Sequence, residues 1–66
     1  MAWRVQRRPA DGTRWRKVFC GSADASVDHY GRIARSLALG ESVRLLDDDG
    51  FAVRAYTSLP PWRPAT

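Results

Sequence analysis

The chain has 66 residues, of which 44% are hydrophobic, and its 11 Lys and Arg against 7 Asp and Glu give a net charge of +4. A chain of this length forms one domain and buries only about 60% of the surface that its unfolded form exposes, which excludes a large enclosed pocket. One cysteine excludes an internal disulfide, and no apolar run approaches the roughly 20 residues of a membrane span. Because the start also lacks the apolar core of a signal peptide, we expect a soluble, cytoplasmic protein.

The first predicted element is a β-hairpin closed by Ala10-Asp11-Gly12. Residues 3–8 alternate between apolar and polar side chains, and residues 14–20 resume an extended pattern after the turn. We assign a three-residue loop with glycine in the left-handed position. This register pairs Val5 with Lys17. It buries one face made of Trp3, Val5, Trp15 and Phe19.

A two-residue loop, Asp11-Gly12, is the alternative for this hairpin. It would bury a different set, made of Trp3, Val5, Val18 and Cys20. Trp15 and Phe19 would then lie beside the basic residues of the other face. The two registers therefore differ in the burial of Trp15.

Residues 22–39 are the only stretch with helical periodicity. The apolar residues fall on one stripe of about 140°, as a helix packed on one side requires. They are Ala23, Val27, Tyr30, Ile33, Ala34, Leu37 and Ala38. Ser22 is the predicted N-cap, and Gly40 is predicted to close the helix.

A second hairpin is predicted from Glu41 to Thr57, around the acidic turn Asp48-Asp49-Gly50. A three-residue loop with Gly50 in the left-handed position separates apolar from polar residues better than a two-residue loop does. It pairs Leu45 with Val53 and Val43 with Ala55. Arg44, Arg54 and Tyr56 then share the opposite face.

These elements predict an α+β domain over residues 1–57 with the order strand, strand, helix, strand, strand (ββαββ). A four-stranded, mainly antiparallel sheet needs the strand order 2-1-3-4 or 1-2-4-3, and we favour 2-1-3-4 with the helix on one face. Residues 58–66, with three prolines, are predicted to form an extended C-terminal tail. The second face of the sheet is left open.

This open face is predicted to be rich in arginine. Its members are Arg4, Arg8, Arg14, Arg16, Arg44 and Arg54, with Tyr56 among them. In these registers Arg44 faces Arg54, and such facing like charges favour an anionic partner, because phosphates accept bidentate hydrogen bonds from guanidinium groups. The alternative is a solvated face on which the arginines lie flat over apolar neighbours.

The sequence predicts no catalytic residue, metal site or cofactor. His29 lies at the border of the apolar stripe, and Cys20 ends a strand, where packing is favoured over reactivity. Asp47, Asp48 and Asp49 fit turn chemistry better than a calcium loop, which spaces its ligands at alternate positions. We therefore expect a protein that is not an enzyme.

The leading hypothesis is a small binding module that holds DNA or RNA through phosphates, with Tyr56 as a stacking surface. The alternative is a protein-interaction module, such as a small inhibitor or accessory protein of a phage or mobile element, that docks on an acidic surface of a host protein. A homodimer formed through an exposed strand edge is a third hypothesis.

Overall fold

A computed structural model of the chain describes residues 2–59 and contains five elements in the predicted order. They are β1 (Trp3–Arg8), β2 (Arg16–Gly21), α1 (Ala23–Ser36), β3 (Ser42–Leu46) and β4 (Ala52–Thr57). The strands form one antiparallel sheet in the order β2-β1-β3-β4, and α1 packs against one face. The ββαββ topology and strand order are as predicted, whereas the predicted tail beyond Leu59 lies outside the described residues.

The core is small and lies between α1 and the two central strands. Val5 of β1 pairs with Leu45 of β3, and both are almost fully buried together with Val43. The side chains packed around them are Trp3, Phe19, Tyr30, Ile33, Ala34 and Leu37. Four of these come from the predicted helical stripe, so burial of apolar surface accounts for the position of α1 on the sheet. No helix within residues 2–59 is both long and apolar enough to cross a bilayer.

The helix begins as predicted and ends earlier than predicted. Ser22 is the N-cap, and its hydroxyl accepts a hydrogen bond from the Ala25 amide at 3.2 Å. At the other end Leu37 already has an extended backbone. The amide of Ala38 donates to the Glu41 carboxylate at 2.9 Å, and the Glu41 amide donates to the Ala38 carbonyl at 3.0 Å. This turn, in which Gly40 has a φ of 84°, replaces the last predicted helical turn.

The predicted register of the first hairpin is wrong. Arg7 pairs with Arg16, the register of the two-residue alternative, and a bulge then shifts the pairing so that Val5 lies opposite Phe19. The bulge puts an apolar ring against the core where the predicted register placed Lys17. Trp15 is therefore not part of the core, in contrast to our prediction.

The loop of the second hairpin is as predicted, but its strand register is not. The Asp47 amide donates to the Phe51 carbonyl at 3.0 Å across the three-residue loop, and Gly50 has a φ of 89°. A bulge at Val53 then shifts the pairing by one residue. The pairs beyond it are Leu45 with Arg54, Arg44 with Ala55 and Val43 with Tyr56.

This shift moves Arg54 and Tyr56 from the predicted open face to the side of the sheet that carries α1. A one-residue slip reverses the face of every later side chain in a strand. The shift stabilises the sheet in two ways. The large ring of Tyr56 lies opposite buried Val43, and Ala55 replaces Arg54 as the residue opposite Arg44. The predicted like-charge contact between Arg44 and Arg54 therefore does not form.

Candidate functional site

The face of the sheet opposite α1, here called the open face, collects cations from three strands. They are Arg4 and Arg8 from β1, Lys17 from β2 and Arg44 from β3. Gln6 points the same way as Arg4 and Arg8, because side chains alternate along a strand, and it is paired with both Lys17 and Arg44. Residues directly opposed in antiparallel strands share a face, so all four cations lie on one surface.

The strands contribute no carboxylate to this face. Asp11 lies in the first hairpin loop, Asp24 and Asp28 lie on α1, and Glu41 lies on the other side of the sheet beside Arg7. The remaining acidic residues, 47–49, form the turn at one end of the second hairpin. The strands of the open face thus present cations without an interleaved carboxylate, and the acidic turn lies at the Arg4 end of this face.

Trp15 brings two of the open-face arginines together. The guanidinium carbon of Arg44 lies 4.2 Å from the centroid of the Trp15 ring, and that of Arg8 lies 4.9 Å from it. Both distances are within the range of cation–π attraction. We call Trp15, Arg8, Arg44 and Gln6 the Trp15 cluster. It holds two positive charges next to one half-buried indole.

Hydrogen bonds fix the two guanidinium groups of the cluster. Arg44 Nε donates to Gln6 Oε1 at 2.7 Å, and Arg8 Nη2 lies 3.4 Å from Ser42 Oγ. Ser42 Oγ is in turn 2.8 Å from Thr57 Oγ1. A guanidinium that uses its flat face against a ring keeps in-plane N–H donors for an anion. The arrangement is chemically suited to hold phosphate or carboxylate oxygens.

Arg4 marks the other end of the open face. Its Nη2 atom lies near Gly50 in the acidic turn, and its Nε is buried with no hydrogen-bond partner among the described residues. Such an unpaired buried donor is rare and costs free energy. Cys20 pairs with Arg4 and is exposed, which corrects our expectation that it is packed.

The other predicted site residues lie in different places from those predicted. Arg14 is exposed in the segment before β2, next to Trp15, and lies outside the paired strands. Arg16 lies opposite Arg7 on the α1 side of the sheet, so its predicted place on the open face is wrong. The reason is the shifted register of the first hairpin.

Arg7, Arg54 and Tyr56 show how differently the α1 side is built. Arg7 forms an ion pair with Glu41 at 2.6 Å, and this hydrogen bond, with the one from the Ala38 amide, lowers the pKa of the Glu41 carboxyl. Arg54 and Tyr56 lie near Tyr30 of α1, whose pKa is raised by burial although the charge of Arg54 opposes the change. Neither residue shares a surface with Arg44.

The side chains outside the open face show ordinary structural contacts. The carboxylates of Asp47, Asp48 and Asp49 lie within 4.8 Å of one another, but Asp47 Oδ1 accepts the amides of Asp49 and Phe51 at 2.9 and 3.0 Å, so turn geometry accounts for the cluster. The ring of His29 stacks on Phe19 with centroids 4.5 Å apart.

Reasoning from the sequence missed the central role of Trp15, together with Gln6 and Ser42. The available signal was the two-residue loop, which placed Trp15 beside basic residues. Comparisons of the chain with protein-family models, curated proteins and solved structures found no match. The geometry of the open face is therefore the basis for a functional proposal.

Proposed function

We propose that the protein is a non-enzymatic module that binds DNA or RNA through the phosphates, with the open face as its binding surface. The observation that carries this proposal is the Trp15 cluster, in which two guanidinium groups lie over one indole on a face whose strands supply no carboxylate. Arg4 and Lys17 extend the same positive surface. The exposed free thiol of Cys20 fits the reducing cytoplasm that we propose as the location.

The preorganisation of Arg8 and Arg44 favours binding, because ordering a long side chain at an interface costs about 0.5–1.5 kcal/mol when it is not already fixed. Here the ring of Trp15 and the Gln6 and Ser42 oxygens hold both groups before any ligand arrives. The Trp15 ring is already stacked with the guanidinium groups of Arg8 and Arg44, and Tyr56 lies on the other side of the sheet, so neither ring is placed to stack on a base. We therefore expect phosphate contacts with little base reading, and hence weak sequence preference.

The test is a salt titration of binding to mixed-sequence duplex and single-stranded DNA and RNA. The double variant Arg8→Ala/Arg44→Ala removes two phosphate contacts, so the slope of log K against log salt should become shallower by about 1.8 on duplex DNA. The matched control is Arg35→Ala/Arg54→Ala, which has the same net charge but keeps the open face intact. We expect that control to retain most of the slope.

Two results would contradict the proposal. Equal effects of the two double variants would mean that net charge alone drives binding. No binding at about 50 mM salt would leave the open face without a nucleic-acid role. In that second case the competing function, docking on an acidic surface of another protein, would be pursued by asking whether Arg8→Ala/Arg44→Ala loses one specific protein that the native chain retains.

A further inference from the structure

Among residues 2–59, β4 pairs with β3 along one edge and with no strand along the other, and all six of its residues are exposed. The Ser58 amide donates to the Glu41 carbonyl at 2.9 Å, and the Ser58 carbonyl accepts the Gly40 amide at 2.8 Å. Because successive residues of a strand direct their backbone groups to opposite edges, the N–H and C=O groups of Thr57 and Ala55 point outward. A further strand would find donors and acceptors there.

A groove lies beside this edge, between β4 and the helix. Its walls are Tyr30 and Ala34 from α1, Leu37 just after α1 and Tyr56 from β4, and its volume is about 520 Å³. Tyr56 remains 47% exposed although it points to the same side as the core. The helix packs on β1, β2 and β3. The apolar surface next to β4 is thus suited to side chains that alternate inward from an added strand.

The rim of this groove is positively charged. Arg35 lines it directly, and Arg54 lines the adjoining depression with Arg32 and Asp28. Asp28 is already paired with Arg32 at 3.2 Å. Among the described residues, Arg35 and Arg54 take part in no ion pair, so both charges are available to carboxylates of a ligand.

We propose that the β4 edge and the α1–β4 groove bind an extended acidic peptide of a protein partner by strand addition. The peptide backbone pairs with Ala55 and Thr57, its apolar side chains enter the groove beside Tyr30 and Tyr56, and its carboxylates reach Arg35 and Arg54. In this mode of recognition main-chain hydrogen bonds supply affinity and alternating pockets supply specificity. This site is separate from the open face and does not depend on nucleic-acid binding.

The composition of the chain itself argues against two other occupants. Residues 60–66 contain three prolines, which have no N–H donor, and no acidic side chain to pair with Arg35. A second copy would offer its own β4, in which Arg54 is the only charged residue. Neither supplies the negative charge that the rim requires.

The experiment uses the full chain and a fluorescent, end-blocked peptide about eight residues long in which valine and glutamate alternate. We expect binding by anisotropy that weakens about tenfold or more when lysine replaces glutamate in the peptide. N-methylation of the peptide amides that face β4 should abolish it, because those N–H groups form the ladder. The variant Arg35→Glu/Arg54→Glu should reverse the preference between the two peptides.

Controls separate this proposal from the one for the open face. Arg8→Ala/Arg44→Ala should weaken nucleic-acid binding and leave peptide binding unchanged. Arg35→Glu/Arg54→Glu should lose binding of the acidic peptide. Equal binding of the acidic and basic peptides, or undiminished binding after N-methylation, would overturn the proposal. A dimer in sedimentation that the peptide fails to disrupt would also overturn it. A gain in peptide affinity in Trp62→Ala would overturn it too, because it would identify the chain's own tail as the occupant.

Discussion

Arg7 and Arg8 are neighbours in β1, yet they lie on opposite faces of the sheet and their guanidinium groups have different partners. Arg7, on the α1 side, is neutralised by Glu41 at 2.6 Å. Arg8, on the open face, lies over Trp15 and near the Ser42 hydroxyl, and Arg44 shares the same ring. One face satisfies its arginine with a carboxylate of the chain, and the other orients its arginines with neutral groups.

The difference indicates where an external anion would bind. An ion pair within the chain removes the charge that a ligand would need, whereas an aromatic ring and an amide orient a guanidinium without neutralising it. Counting arginines in the sequence therefore overestimates the number of cations that the open face offers to an anion. Of the predicted cations, Arg4, Arg8 and Arg44 lie on the open face, with Arg4 at its far end, while Arg16 and Arg54 lie on the other side.

The largest expected effect concerns stability on the two sides of β3. Leu45 points into the core and is 1% exposed, and its neighbour Leu46 points to the open face and is 6% exposed. Leu45→Ala should lower the free energy of unfolding by about 2–5 kcal/mol, since the packed core cannot fill the cavity. Leu46→Ala should cost less, because the flexible Arg4 side chain on the same face can move into the space. Urea unfolding of both variants measures this, and equal losses would show that the open face is packed as tightly as the core.

The order of the strands and the position of the helix could be predicted from local signals. Gly12 and Gly50 mark the two turns, and one apolar stripe, capped by Ser22, marks the helix. These features depend on residues close together in the sequence. The requirement that a chain reversed by one helix form an antiparallel sheet left two strand orders, 2-1-3-4 and 1-2-4-3, and the favoured order, 2-1-3-4, is the one observed.

The registers could not be predicted, because each depends on a bulge that tertiary packing selects. Phe19 reaches Val5 only through the bulge in β2, and Tyr56 reaches Val43 only through the bulge at Val53. No turn residue marks either position, and one shifted residue reverses the face of the rest of the strand. The bulge at Val53 is why Arg54 and Tyr56 were assigned to the wrong surface, whereas Trp15 was assigned to the core because the three-residue register was chosen for the first hairpin instead of the two-residue one.

A smaller effect is expected from removing the ring while keeping every cation. Trp15→Leu should weaken nucleic-acid binding about fivefold, equivalent to about 1 kcal/mol, because Arg8 and Arg44 lose the surface that orients them. The salt slope should change little, since both guanidinium groups remain. Titration at several salt concentrations, beside Arg8→Ala/Arg44→Ala, distinguishes orientation from charge. Unchanged affinity in Trp15→Leu would mean that the ring does not preorganise the site.

The smallest effect should come from Glu41→Gln, which makes the α1 side resemble the open face. The variant leaves Arg7 opposite Arg16 without a carboxylate, so nucleic acid should bind slightly more tightly and with a steeper salt slope. Glu41→Asp, which keeps the charge, is the control and should leave the slope unchanged. An unchanged slope in Glu41→Gln would show that Arg7 and Arg16 lie outside the reach of the ligand.

The contribution of the Arg7–Glu41 ion pair to the free energy of unfolding should depend on pH. The folded-state pKa of Glu41 is lowered from 4.5 by the Arg7 hydrogen bond and then by the Ala38 amide. The pair therefore stabilises the fold at pH values above the ordinary pKa, and this stabilisation is lost as the pH falls through the lowered folded-state value. The difference in unfolding free energy between the native chain and Glu41→Gln should be constant near neutrality and shrink in acid. The Trp15 cluster contains no carboxylate, so the corresponding difference for Trp15→Leu should not change over that range, and a parallel decline in both would mean that acid acts on the fold as a whole rather than on this ion pair.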